Sequence, residues 1–321
     1  MTGFFRGIRR SKSLGVDLGS SSLKIVELSR KKISLAALLE IPPAERVEEA
    51  ALIGRLKGFF QEIGITDREA VIYIPGSYSF IRTIFFPSMP DSELKEAIRW
   101  EIKRQIPYSE EEAVFDYISQ EVPEGIAVTI AAAERKNIQK QISIFKEAGL
   151  KVIAVDVSPL ALLRVFAPKD NNNILLIDIG AKHIEIDIIK AGVIRLTRTV
   201  DMGGEFVINY LMSKGVSLED AGKTLMNAVS DEIKEPLEQL LREIVRSIDY
   251  YKANFKEKVF TRILLTGGLS LNSHISNYFS KSLGIPVSVP NPFEGCALKD
   301  ESIRVLGPRF SVAVGLARRL D

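Results

Sequence analysis

Residues 15–28 read GVDLGSSSLKIVEL. Apolar residues surround Asp17, so Leu14–Leu18 reads as a buried strand with one carboxylate near its end, and Gly19–Ser22 reads as a glycine and serine turn. Leu23, Val26 and Leu28, with Lys24 and Glu27 between them, make a second strand, and the whole stretch is a β-hairpin. A strand-end carboxylate beside a turn of free backbone N–H groups suits a phosphate–metal site: the amides hold phosphate oxygens while the carboxylate orients hydrated Mg²⁺. Ser20, Ser21 and Ser22 add hydroxyl donors, and Lys24 supplies a point charge for terminal phosphates. A solvated strand lysine is the plainer alternative for Lys24.

Working outward, Ile33–Ile41 reads as a third strand, the apolar spacing of Ala51, Leu52, Leu56, Phe59, Phe60 and Ile63 as a helix, and Ala70–Ile74 as a short buried strand. The plan then repeats. After the polar break Asn171–Asn173, the strand Ile174–Ile179 ends in Asp178-Ile179-Gly180, and two further strands follow over Ile184–Ile189 and Val193–Val200. Glu185 and Asp187 alternate with Ile184, Ile186 and Ile188. Leu237, Leu241, Ile244, Ile248, Tyr251 and Phe255 give Glu232–Phe255 one apolar helical face. A last strand, Ile263–Leu265, runs into Thr266-Gly267-Gly268, where glycine lets backbone approach a flat ring, as on the adenosine side of a nucleotide. A single Asp-x-Gly after an apolar run is an ordinary strand-to-turn boundary. Two such hairpins followed by a Gly-Gly turn carry far more weight, because facing hairpins would grip phosphates from both sides.

Between the halves, Phe80–Phe86, the helix Asp91–Ile106, Val114–Ser119, Ala127–Ala133, the helix Lys136–Ala148 and Val152–Asp156 form an α+β insertion. In its first helix, with Asp91 as N-cap and Pro107 forcing the end, Leu94, Ile98, Ile102 and Ile106 make one apolar stripe. Trp100 falls about 160° around the helix from Ile98. It either packs against the first lobe as core or is an aromatic anchor for a partner.

Composition excludes several classes. Lys+Arg 43 against Asp+Glu 41, spread along the chain, provides no footprint for nucleic acid. Cys296 stands alone with His183 and His274, so neither a disulfide framework nor a Cys/His metal cluster can form. No apolar run approaches the ~18 residues of a membrane span, so the chain is expected to stay in the cytoplasm. The segment containing Phe4, Phe5, Arg6, Arg9, Arg10 and Lys12 reads as a disordered end or a marginal membrane contact.

GVDLGSSSLKIVEL resembles the first phosphate loop of the actin, DnaK-type chaperone and FtsA superfamily. IPGSYSFIRTIFFPSMPDSELKEAIRWEIKRQIPYSEEEAVFDY, AGLKVIAVDVSPLAL, LLIDIGAKHIEI, LLTGGLSLNS, VPNPFEG and VAVGLARR extend the likeness over nearly the whole chain, and the stretch from Arg82 to Pro107 points to its type IV pilus PilM branch. The resemblance implies a two-lobed, actin-like ATPase (ribonuclease-H-like) α/β fold with a small α+β insertion in the first lobe. The expected segments are residues 1–78 for the first lobe, 79–156 for the insertion, 157–171 for the return, 172–305 for the second lobe and 306–321 for a C-terminal helix on the first lobe. It implies ATP held with Mg²⁺ by Asp17, Gly19, Ser20, Ser21, Ser22, Lys24, Asp178, Gly180, Gly203, Gly204, Gly267 and Gly268, with Asp17 and Asp178 meeting the metal through water. It also implies a cytoplasmic scaffold at the inner-membrane platform of a type IV pilus, peripheral to the membrane through its partner. That partner is the cytoplasmic N-terminal tail of a PilN-like protein, alongside other platform components, with Trp100, Arg82 and Arg104 at the groove between lobe and insertion.

Departures from the family pattern bear on turnover. Ala181-Lys182-His183 stands where small and hydroxyl residues are usual, Glu219-Asp220-Ala221-Gly222-Lys223 lies outside the usual nucleoside pattern, and the adenosine turn has only Gly267-Gly268. No confident catalytic residue emerges beyond Asp178 as a metal- or water-positioning candidate. The expectation is weak binding and at most a slow ATPase. A nucleotide-independent adaptor of the same fold is the alternative; a sugar or acetate kinase or a polymerising filament protein of the superfamily is further off.

Overall fold

The computed structural model describes residues 12–66, 68–109, 111–167, 172–227, 229–255 and 260–320; the aromatic and basic positions 4–10 lie outside them. In the first lobe, β1 (Lys12–Leu18), β2 (Ser22–Ser29) and β3 (Lys32–Glu40) form an antiparallel meander, followed by α1 (Pro43–Val47), α2 (Glu49–Glu62) and β4 (Glu69–Ile74). The insertion contributes β5 (Ser79–Phe86), α3 (Asp91–Gln105), β6 (Ala113–Val122) and β7 (Gly125–Glu134). Then come α4 (Arg135–Glu147), β8 (Lys151–Val157) and α5 (Ser158–Phe166). The second lobe has β9 (Asn173–Ile179), β10 (Ile184–Lys190), β11 (Val193–Val200), α6 (Gly204–Ser213), α7 (Leu218–Met226), α8 (Asp231–Phe255), β12 (Arg262–Thr266), α9 (Ser273–Leu283) and β13 (Val287–Ser288). A 3₁₀ stretch, Glu301–Phe310, leads into α10 (Ser311–Ala317).

The lobes share one plan. Strand order is β3-β2-β1-β4-β8 in the first sheet and β11-β10-β9-β12-β13 in the second, each with an antiparallel meander joined to parallel strands. The central strands are covered on both faces, which explains their unbroken apolar runs. Leu14, Val16, Ile25 and Ile72 pack against Leu56 and Phe60 of α2, while Leu175, Ile177, Ile184 and Ile186 pack against the apolar face of α8. Between the sheets, Ile174, Leu176 and Ile189 meet Leu160, Ala161, Val312 and Leu316 of α5 and α10. These two helices cross so closely that a Cβ on Gly315 would stand 2.0 Å from the Ala161 carbonyl oxygen.

Three boundaries differ from expectation. The insertion ends near Glu134, not at residue 156: β8 pairs in parallel with β4, and Ile144 and Phe145 of α4 belong to the first-lobe core. The return to the first lobe begins before residue 306, since Phe293 already packs with Val26, Leu28 and Phe310. Asp91 is the first residue of α3 and not its cap; Pro90, with φ −59 and ψ 149, precedes it without a side-chain cap. Asp91 and Glu93 complement the helix dipole from inside the first turn. At the other end Ile106 is extended, as the residue before a proline must be.

The insertion sheet, order β5-β7-β6, lies under α3 through Leu94, Ile98, Ile102, Val128 and Ile130. It also touches the second lobe: Thr83 Oγ1 donates to the Ile194 carbonyl, and Arg195 pairs with Glu124 at 3.3 Å and sits 4.4 Å over the Phe85 ring.

Candidate functional site

The strand register fixes the site. Asp17 on β1 lies opposite Lys24 on β2, and Lys24 Nζ reaches Asp17 Oδ2 at 2.8 Å while also donating to the Ser22 carbonyl at 3.3 Å. Both residues are buried, so Lys24 is not a solvated strand lysine; it neutralises a carboxylate that would otherwise be costly at this depth. Gly19 N donates to the Ser22 carbonyl at 3.0 Å, closing the turn and leaving Ser20 and Ser21 half-buried at its tip. In the second hairpin, Gly180 N donates to the His183 carbonyl at 2.9 Å. Asp178 is flanked by Glu185 on β10 and Thr266 on β12.

The two hairpins face one another. Burial pushes the Asp178 carboxyl up to about 6, the Asp17 charge adds to the rise, and Lys24 opposes it, so the first hairpin's charges act on the second hairpin's acid. Tyr73, at the base of the cleft, is raised well above the usual phenol range by burial and then by Asp17, Asp178 and Glu185; its hydroxyl lies 3.5 Å from the Leu18 carbonyl.

The third turn closes on the second. Gly267 has φ 85, and a Cβ there would stand 2.2 Å from Asp178 Oδ1 and 2.5 Å from the Ile179 carbonyl oxygen. Glycine is therefore required on both conformational and steric grounds. Thr266 Oγ1 and Gly267 N both donate to the Pro308 carbonyl, at 2.8 and 3.3 Å, tying this turn to the segment that returns to the first lobe. Gly203 and Gly204 open α6 directly on the second turn: Gly204 N donates to the Gly180 carbonyl at 3.0 Å and Glu205 N to the Ala181 carbonyl at 2.8 Å.

The facing hairpins and the third turn thus bring together Asp17, Lys24, Asp178, Gly180, Gly203, Gly204 and Gly267, with Gly268 next in the chain: two carboxylates, one ammonium and three glycine turns. The departures are also visible. Lys182 is exposed and His183 Nδ1 lies 3.0 Å from Asp201 Oδ1, so neither replaces the missing hydroxyls. Lys223 pairs with Glu219 at 2.6 Å on the exposed face of α7.

Several cleft residues escaped the sequence reading. Arg309 donates to Ser22 Oγ at 3.0 Å and pairs with Glu40 at 2.7 Å; nothing local marks it, because its partners lie far away in sequence. Arg46 of α1 meets Glu205 of α6 at 3.1 Å, bridging the lobes. Ser158 Oγ of α5 donates to Glu185 Oε2 at 2.6 Å, a second bridge. Glu185 and Asp187 are buried, and the available signal was two acids on one face of a strand whose other face is isoleucine.

The expected partner residues divide. Arg104 pairs with Glu101 at 2.9 Å, and Glu101 is held below the usual carboxylate range by Gln105 first, with Arg104 and Arg82 adding to it. Trp100 is 75% exposed on the outward face of α3 beside Arg99, Lys103 and Arg104. It does not belong to the core, because α3 buries its Leu94–Ile98–Ile102 stripe.

Two lobes with a repeated meander, facing Asp-x-Gly hairpins and a glycine turn against the second define the actin-like ATPase fold. Residues 15–320 match the family described as type IV pilus assembly protein PilM, and the chain belongs to that family. It is similar to a solved PilM–PilN type IV pilus biogenesis complex, with 28% identity and a TM-score of 0.82, covering 98% of this chain and 99% of that one. It shares its fold with MreB5 of Spiroplasma citri bound to ADP, at 12% identity and a TM-score of 0.51, over 96% of this chain and 95% of that one. Cell division protein FtsA of Neisseria meningitidis serogroup B (strain ATCC BAA-335 / MC58) is 27% identical over 228 residues, 59% of this chain and 52% of FtsA; the match thus spans about half the length of that relative. Among the described residues no helix is long and apolar enough to cross a membrane.

Proposed function

We propose that this chain is a cytoplasmic, nucleotide-binding scaffold of a type IV pilus inner-membrane platform, held at the membrane by the N-terminal tail of a PilN-like protein and working beside other platform components. Membership of the PilM family and the likeness to a PilM–PilN complex support the pilus role and the partner. The observation that carries nucleotide binding is the Asp17–Lys24 pair facing Asp178 across the cleft, with Gly267 closing over it. ATP enters with its phosphates between the hairpins and its adenosine toward Gly267-Gly268. Asp17 and Asp178 orient Mg²⁺ through water, while Ser20, Ser21, Ser22 and Lys24 hold phosphate oxygens. Nucleotide then biases the angle between lobes, through contacts such as Arg46–Glu205, and with it the grip on the partner. Arg82 and Arg104 support the insertion surface that carries Trp100, where the partner docks.

Ala181, Lys182 and His183 supply no hydroxyl donors, so turnover is far below the ~1–10³ s⁻¹ of ordinary enzymes. The same observation favours a second reading, an adaptor that needs no nucleotide. Affinity purification of the full chain from detergent-solubilised membranes tests the role: a small single-span protein with a short cytoplasmic N-terminus co-purifies. Recovery of the chain without any such protein would overturn it.

A further inference from the structure

A cavity of about 410 Å³ opens between the first turn of the insertion and the β10–β11 edge of the second lobe. Ser77, Ser79, Thr197 and Thr199 put hydroxyls on its wall, Glu185 and Asp201 put carboxylates there, and Phe80 and Ile81 form an apolar side. No lysine or arginine is among the described residues that line it. Two polar atoms of its lining residues are orphaned: Glu185 Oε1 and Ser79 Oγ have no hydrogen-bond partner among the described residues. Glu185 is only 8% exposed, and its other oxygen is taken by Ser158. Directly behind, on the same face of β10, Asp187 is fully buried and its Oδ2 has no partner among the described residues. Buried polar atoms left unpaired are costly, and each of the three offers a lone pair to a donor.

We propose that this cavity is a receptor for an ammonium or guanidinium group carried on an alkyl stem. The orphaned acceptors Glu185 Oε1 and Ser79 Oγ, with Asp201 at the rim, supply what an N–H-rich cation needs, while Phe80 and Ile81 cover the stem. Size decides against a bare metal ion, since 410 Å³ is room for roughly a dozen waters at ~30 Å³ each. Donor geometry agrees: among the described residues no group of three or more His, Cys, Asp or Glu side chains could hold a metal. The cation comes from a basic side chain of a peptide or from a free amine, and the same chemistry serves both.

Isothermal titration of the full chain with N-acetyl-lysine amide, N-acetyl-norleucine amide and 1,4-diaminobutane tests this. The lysine amide binds once per chain, the norleucine amide at least tenfold more weakly. Glu185→Gln lowers lysine-amide affinity at least tenfold, and Ser79→Ala and Asp201→Asn by severalfold each; the last is safe for folding because Asp201 is 85% exposed. Tighter binding of the amide than of the diamine assigns a peptide side chain, and the reverse assigns a free amine; either supports the receptor. Equal binding of the norleucine amide, displacement of the amine by Mg²⁺ mole for mole, or wild-type affinity in Ser79→Ala and Asp201→Asn together would overturn it. Those two variants decide the matter if Glu185→Gln does not fold.

Discussion

Raising the pH from 6 to 8 should destabilise the ligand-free protein, and Asp187→Asn should remove much of that loss. Burial pushes Asp187 up to about 7 from the ordinary 3.8; the Thr197 hydroxyl, which donates to it, opposes the rise, and the Asp178 charge adds to it. A carboxyl raised in the folded state contributes stability that is complete below its unfolded value and lost as pH climbs through its folded value. For a folded value of about 7, the loss between pH 6 and pH 8 is about 1.4 kcal/mol. That corresponds to about 2 °C of melting temperature for a chain of this size. Glu185, pushed well above its ordinary range by burial and then by Asp187, titrates with it, so the measured step belongs to the pair. Melting followed by circular dichroism at pH 6, 7 and 8 and constant ionic strength, in wild type and Asp187→Asn, measures the difference. Parallel pH profiles in the two proteins, or a wild type that gains stability toward pH 8, would refute the reasoning.

Three further outcomes follow from the cleft and the insertion. Lys24→Ala leaves Asp17 buried and uncompensated, so denaturant unfolding should show a loss of about 3–5 kcal/mol; a loss under ~1 kcal/mol would mean that water already neutralises Asp17. Gly267→Ala, at φ 85 and against Asp178 Oδ1, should cost about 1–3 kcal/mol and abolish the melting-temperature rise given by Mg-ATP; an intact rise would take the third turn out of the site. Trp100→Ala, at an exposed position, should leave stability within ~0.5 kcal/mol while weakening a PilN-like N-terminal peptide at least tenfold in fluorescence anisotropy; unchanged peptide affinity moves the docking surface elsewhere.

The two hairpins and the glycine turn were legible because their residues are close in sequence: Asp17, Gly19 and Lys24 sit within one hairpin, and Asp178 with Gly180 repeat the pattern. What periodicity could not supply was pairing at a distance. Val152–Asp156 reads as a strand, but nothing in it says that β8 joins β4 across the insertion, so the boundary at residue 156 was misplaced. At β10 alternation leaves open which face is covered. Glu185 and Asp187 have the spacing of a solvent-facing row, yet the first lobe covers that face, and only the tertiary fold turns them into buried acids. For α3 the helical angle correctly separated Trp100 from Ile98, and what stands over the outward face lies beyond one chain's periodicity.

Calorimetric melting of the full chain with and without millimolar Mg-ATP, repeated on Asp17→Ala, tests the nucleotide site most directly. Ligand at ~100 times its Kd stabilises the folded state by about 2.7 kcal/mol, so wild type should melt at a clearly higher temperature with Mg-ATP, and Asp17→Ala should lose most of that rise. A wild-type melting temperature that ignores Mg-ATP, or an equal rise in both proteins, would contradict a nucleotide site between the two hairpins.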